Sequence, residues 1–107
     1  MTIQQLSVSS EQLQSLSEDL LNPKVPLHKR FRALFTLKAI GGVDAITAIS
    51  KGFNDDSALL KHEFAYVLGQ MKDTRAIPKL EEVLGNENED PMVRHEVSEF
   101  ELFSPQS

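Results

Sequence analysis

The chain has 107 residues, 40% of them apolar, with 11 basic against 16 acidic side chains, a net charge of -5 and no cysteine. That length suits one compact domain and not two. Disulfides, thiolate zinc sites and thiol nucleophiles are excluded, and an acidic chain without a Lys/Arg stripe is a poor match for nucleic-acid phosphates.

Apolar residues recur at helical spacing in six short segments separated by Gly, Pro, Asn and Asp, and no stretch shows strand alternation. The fold class expected is all-α. The first helix starts with Ser9 or Ser10 as N-cap, carries Leu13, Leu16 and Leu20, and stops at Asn22-Pro23. The second covers about 26–40, with Leu27, Phe31, Leu34 and Leu37 on one stripe, and Gly41-Gly42 closes it. The third is short, about 43–53, and Asp56 or Ser57 can cap the fourth. A fifth begins near Thr74, with Pro78 in its first turn, where a missing amide donor costs little. Pro91 opens the sixth.

The second, fourth and sixth helices align on one another, Arg30 over Lys61 at an offset of 31 and Lys61 over Arg94 at 33. Self-similarity at this period, with two helices per unit, marks an α-solenoid in which each hairpin buries its apolar face on the next. Three HEAT-like hairpins are expected, about 9–41, 43–71 and 74–103, in one domain over 1–107. Lys72-Asp-Thr-Arg-Ala-Ile-Pro-Lys-Leu80 resembles the start of a short HEAT-like repeat.

The repeats also carry chemistry. His62-Glu63 and His95-Glu96 stand 33 residues apart in matching surroundings, Leu60-Lys-His-Glu-Phe64 and Val93-Arg-His-Glu-Val97. Equivalent helices of stacked repeats lie about 8 to 10 Å apart, so two imidazoles can meet on one ion. A carboxylate from Glu63 or Glu96 would complete a two-His, one-carboxylate set, which suits Fe(II), with manganese or zinc as alternatives. A lone His-Glu dipeptide is more often a partly buried His hydrogen-bonded to a neighbour beside a solvated Glu. The repetition argues for more, since His and Glu are poor core residues.

The remaining candidates carry less. His28 has no repeated partner and reads as a surface residue. Tyr66 can orient His62 but reads better as a packed aromatic. Lys61 and Arg94 are expected to solvate their helix faces, and Glu81, Glu82, Glu87, Glu89 and Asp90 to form a solvated acidic edge. There is no Ser-His-Asp set, glycine-rich phosphate loop or His-Glu-x-x-His zinc signature. Residues 1–7 lack the basic start and apolar run of a signal peptide, and no stretch is apolar enough to span a bilayer. A soluble cytoplasmic protein with no membrane partner is the expectation.

Arg30-Phe-Arg-Ala-Leu-Phe-Thr-Leu37, Asp55-Asp-Ser-Ala-Leu-Leu-Lys-His-Glu63, Tyr66-Val-Leu-Gly-Gln-Met71 and Pro91-Met-Val-Arg-His-Glu96 together resemble the N-terminal half of deoxyhypusine hydroxylase. The resemblance covers about 11–96. It implies HEAT-like repeats around a di-iron centre and a monooxygenase that hydroxylates deoxyhypusine on translation initiation factor 5A to hypusine. It assigns His62, His95 and Glu96 as iron ligands, and Glu63 as a further ligand or as the group that holds the cationic amine of the substrate. The family pattern has four His-Glu strings and this chain has two. After Glu96 the expected Ala-rich run gives way to a divergent tail, 97–107, with Glu101 and Ser104-Pro105 ending the helix early. A truncated half is therefore expected, holding at most one Fe(II), with a homodimer able to supply four strings. The alternative is a non-catalytic HEAT-repeat module that binds a partner protein.

Overall fold

A computed structural model describes residues 8–100, and among them every regular element is helical. The six α-helices are α1 (Ser10–Leu21), α2 (Leu27–Ile40), α3 (Gly42–Ser50), α4 (Ala58–Met71), α5 (Ile77–Gly85) and α6 (Pro91–Ser98). The positions expected for Glu101 and Ser104-Pro105 lie outside the described residues.

The helix boundaries follow from local chemistry. Ser9 caps α1 in a capping box: its hydroxyl accepts from the Gln12 amide at 3.1 Å, and the Gln12 side chain accepts from the Ser9 amide at 2.9 Å. Gly41 and Gly42 turn the chain between α2 and α3 with φ of 69° and 84°, the left-handed region that only glycine enters cheaply. Ser57 caps α4 through the Leu60 amide, and Asp90 caps α6 through the Met92 amide.

Two expected boundaries shift, and one residue leaves the expected apolar stripe. The third helix is α-helical only to Ser50 and tightens to a 3-10 turn over Lys51–Asn54. There buried Gly52 lets the Phe64 ring approach so closely that a Cβ would collide with it. Phe53 meets the same ring edge-on at 6.2 Å between centroids. The fifth helix is preceded by a 3-10 turn, Thr74–Ala76, with Asp73 as its cap, so the α-helix begins at Ile77. Leu27 does not join the apolar stripe. As the first residue of α2 it lies 45% exposed, while Leu34 and Leu37 are fully buried.

The helices stack as expected of a solenoid: α1 packs on α2, α3 on α1, α2 and α4, α5 on α6, and α4 lies between α2 and α6. One continuous core runs through them, with Leu20, Leu34, Leu37, Ile49, Leu60, Phe64, Leu68, Leu80, Val93 and Val97 at its centre. Each such aliphatic side chain stabilises by about 1.5–3 kcal/mol relative to exposure.

Charged side chains link successive repeats, which corrects the expectation that Lys61 and Arg94 solvate their faces. Buried Arg30 donates Nε to the Leu20 carbonyl at 2.9 Å and a terminal nitrogen to Asp55 at 2.7 Å, in the loop before α4. Burial by itself would raise the Asp55 carboxyl. The hydrogen bond from Arg30 and the amide of Ser57 more than offset this and hold it below the ordinary aspartate value. Lys61, one repeat on, reaches Glu89 at 2.6 Å in the loop before α6. Glu89 is therefore buried and not part of a solvated edge, and it also accepts from the Asp90 amide. Arg94 is half-buried, with Nε donated to the Leu84 carbonyl at 3.1 Å. Each carbonyl contact spans ten residues, from the start of a second helix back to the end of the first helix of the same hairpin.

Candidate metal centre

His62 lies on the second turn of α4 and Glu96 on the second turn of α6. Because these helices pack side by side, His62 Nε2 comes to 3.0 Å from Glu96 Oε1. The contact is diagonal: it joins the His of one repeat to the Glu of the next. His95, the equivalent of His62, is exposed on α6, and Glu63, the equivalent of Glu96, is half-buried on α4. Of the four residues singled out by sequence, the structure thus brings His62 and Glu96 together. Among the described residues there is no group of three or more His, Asp or Glu side chains placed to hold an ion.

The paired donors suit a metal chemically. Imidazole and carboxylate ligands bind first-row metals at about 2.0–2.2 Å, which puts two ligands at right angles about 3 Å apart. His62 and Glu96 stand 3.0 Å apart, in direct hydrogen-bond contact with each other, and an ion would take the place of that contact. Both side chains keep a solvent-facing edge, 33% and 23% exposed, so an ion can reach them.

Beside this pair a cleft of about 260 Å³ runs between α4 and α6, lined by Tyr66, Gly69, Gln70, Lys72, Glu96 and Glu99 among others. Tyr66 is 44% exposed on it, contrary to the packed aromatic expected. It sits one turn beyond His62, on the same side of α4, and points away from the core. His28 is exposed, as expected. Repeat spacing named both residues and missed their pairing: it set His62 against His95, and the structure sets it against Glu96.

At the start of the third hairpin the Arg75 side chain and amide both donate to Asp73, and these hydrogen bonds hold its carboxyl down at about 2. Asp73 is thus a cap for its own turn and no candidate ligand. Among the described residues no helix is long and apolar enough to cross a membrane.

Residues 13–99 match the family of HEAT repeats. Deoxyhypusine hydroxylase of Mus musculus is 56% identical to this chain over 92 residues, and that of Drosophila melanogaster 58% over 92 residues; both matches take in 86% of this chain and 30% of the relative. The solved structure of human deoxyhypusine hydroxylase in complex with glycerol superposes with a TM-score of 0.79 at 56% identity, over 81% of this chain and 30% of that one. The chain therefore spans about a third of the length of the relatives it matches. All-helical stacking, the family match and this likeness lead to one placement: the chain belongs to the HEAT-repeat family, and the members it is similar to are deoxyhypusine hydroxylases.

Proposed function

We propose that this chain supplies one ligand set of an iron-dependent deoxyhypusine monooxygenase, acting on the deoxyhypusine side chain of translation initiation factor 5A in the cytoplasm. The observation that supports this most is the 3.0 Å approach of His62 Nε2 to Glu96 Oε1 across two repeats. In this reading His62, His95 and Glu96 hold iron, which when bound supplies the activation of dioxygen.

The chain's own residues do the rest. Glu96 presents a carboxylate beside the His62 imidazole, so the pair offers one oxygen and one nitrogen donor. Glu63, next to His62 and only half-buried, offers its carboxylate to the ammonium group of the substrate side chain. The cleft between α4 and α6 opens beside the pair and gives an extended side chain a path to it.

The three hairpins, about 9–41, 43–71 and 74–103, act as one domain in this reading. A single chain carries two His-Glu strings and holds at most one iron. A homodimer with the α4/α6 faces opposed would bring four strings together. The test is to incubate the chain with Fe(II), oxygen, a reductant and deoxyhypusine-bearing factor 5A, and to measure the mass of the factor. A gain of one oxygen, lost in His62→Ala and in His95→Ala, is expected. A metal-free monomer after anaerobic iron loading, by elemental analysis and light scattering, would sink the reading.

The second reading is a non-catalytic HEAT module that binds factor 5A or another protein. It is favoured by the absence of a three-donor cluster among the described residues. Binding of factor 5A without the oxygen gain selects it.

A further inference from the structure

Two ion pairs join successive repeats, and the second lies beside the candidate site. The first rung, Arg30 to Asp55 at 2.7 Å, ties α2 to the loop before α4. The second, Lys61 to Glu89 at 2.6 Å, ties α4 to the loop before α6, and both of its side chains are largely buried. Lys61 directly precedes His62, and Glu89 stands seven residues before Glu96. The ion pair and the His62–Glu96 contact therefore bridge the same two neighbouring stretches of chain.

Polar links run on from Glu89 into α6. The Glu89 oxygen that meets Lys61 also accepts from the Asp90 amide at 2.7 Å, and the Asp90 carboxylate accepts from the Met92 amide at 2.8 Å. The N-cap of α6 is thus held to the turn of α4 that carries His62. Glu96 follows six residues later, a rise of about 9 Å along the helix. His62 and Glu96 each keep an exposed edge, so packing around their own tips does not fix them, and the helices beneath must set the spacing.

We infer that Lys61 and Glu89 are positioning residues for the candidate metal centre: their buried contact fixes the start of α6 against α4, and through it the approach of the Glu96 carboxylate to the His62 imidazole. This role rests on the metal reading, to which it adds two residues that touch no ion. The rival is a stacking role alone, because the first rung joins repeats where Phe31 and Arg32 stand at the places of His62 and Glu63. Stability by itself does not require the charges, since a well-packed apolar pair often serves as well or better. What the charged pair adds is one defined geometry.

The experiment titrates the whole chain with Co(II), an absorbing stand-in for Fe(II) at nitrogen and oxygen ligands, and reads the d–d band and the dissociation constant. All variants are held at a temperature where circular dichroism shows them folded. Lys61→Met/Glu89→Leu is expected to melt no lower than the parent and yet to bind Co(II) about ten-fold or more weakly, with a changed band. Lys61→Gln, too short to reach Glu89, should lose affinity in the same way, and it decides the matter if the double variant does not fold. Arg30 and Arg94 hold the place of Lys61 in the other two hairpins, so Lys61→Arg should stay within about two-fold of the parent. Arg30→Met strands Asp55 in the first rung and should lose stability without losing Co(II) affinity. Equal affinity in the parent and the Lys61 variants overturns the inference and leaves the metal reading standing. A loss as large in Arg30→Met also overturns it, because lost stability would then account for the effect. A parent chain that takes up no Co(II) overturns the metal reading, and the inference with it.

Discussion

α4 and α6 carry nearly the same string, a cation, a His and a Glu between apolar residues, yet only on α4 are the first two satisfied. Lys61 has Glu89 and His62 has Glu96, both from the repeat that follows. On α6, among the described residues, Arg94 holds only the carbonyl of its own hairpin and His95 faces solvent. The setting of a motif in a stacked-repeat protein is therefore made by its neighbour. The same histidine can meet a neighbour's carboxylate in one repeat and face solvent in the next.

The sharpest way to break the comparison is at the cations. Lys61→Met strands buried Glu89 without its partner and is expected to cost about 3 kcal/mol. Arg94→Met gives up one hydrogen bond from a half-buried site, about 1 kcal/mol. Urea unfolding of both variants measures the gap, and equal losses would mean that α6 is as fully partnered as α4.

The glycines give a second contrast. Gly52, in the 3-10 turn after α3, and Gly85, the last residue of α5, are 33 residues apart, but Gly52 is pressed by the Phe64 ring and Gly85 has open space. Gly52→Ala is expected to destabilise by about 1–3 kcal/mol through overpacking. Gly85→Ala, in the last turn of a helix, is expected to stabilise by about 0.5 kcal/mol. Thermal melting of the pair separates these signs, and a neutral Gly52→Ala would show that Phe64 moves aside easily.

Acid provides a milder probe of the first rung against the second. Asp55 has a carboxyl held below its unfolded value, so its contribution is complete above about pH 4 and is lost as pH falls through the lower folded value. Stability measured from pH 6 down to pH 2 should decline over that acid window, and Asp55→Asn should flatten part of the decline. An unchanged profile in Asp55→Asn would remove this rung from the account.

Much of the scaffold was legible in sequence because its signals are local. Ser9 three residues before Gln12, Gly41-Gly42 after an apolar stripe, and Pro91 after a polar loop each act within one turn of themselves. Leu27 was misread because periodicity cannot tell a first-turn residue from one seated in the core. Lys61, Glu89 and Arg94 were misread for a different reason. Their partners stand 28 or ten residues away, so each charge looked solvated beside its sequence neighbours. The recurrence of a cation just before each His, with an acid five or six residues earlier, was the clue in the sequence. The candidate site was legible as four residues, but which two meet depends on how α6 packs against α4, which no local signal in the sequence sets.

The central place of α4 has a kinetic consequence. It touches α2, α3 and α6, and its contacts reach only adjacent repeats, so no long loop must close before they form. Folding should therefore start around α4 and spread outward in both directions, as in other stacked-repeat chains. Amide exchange should be slowest at Phe64, Val67 and Leu68 and fastest toward the ends of α1 and α6, which makes the helix bearing His62 the last part of the molecule to lose its shape.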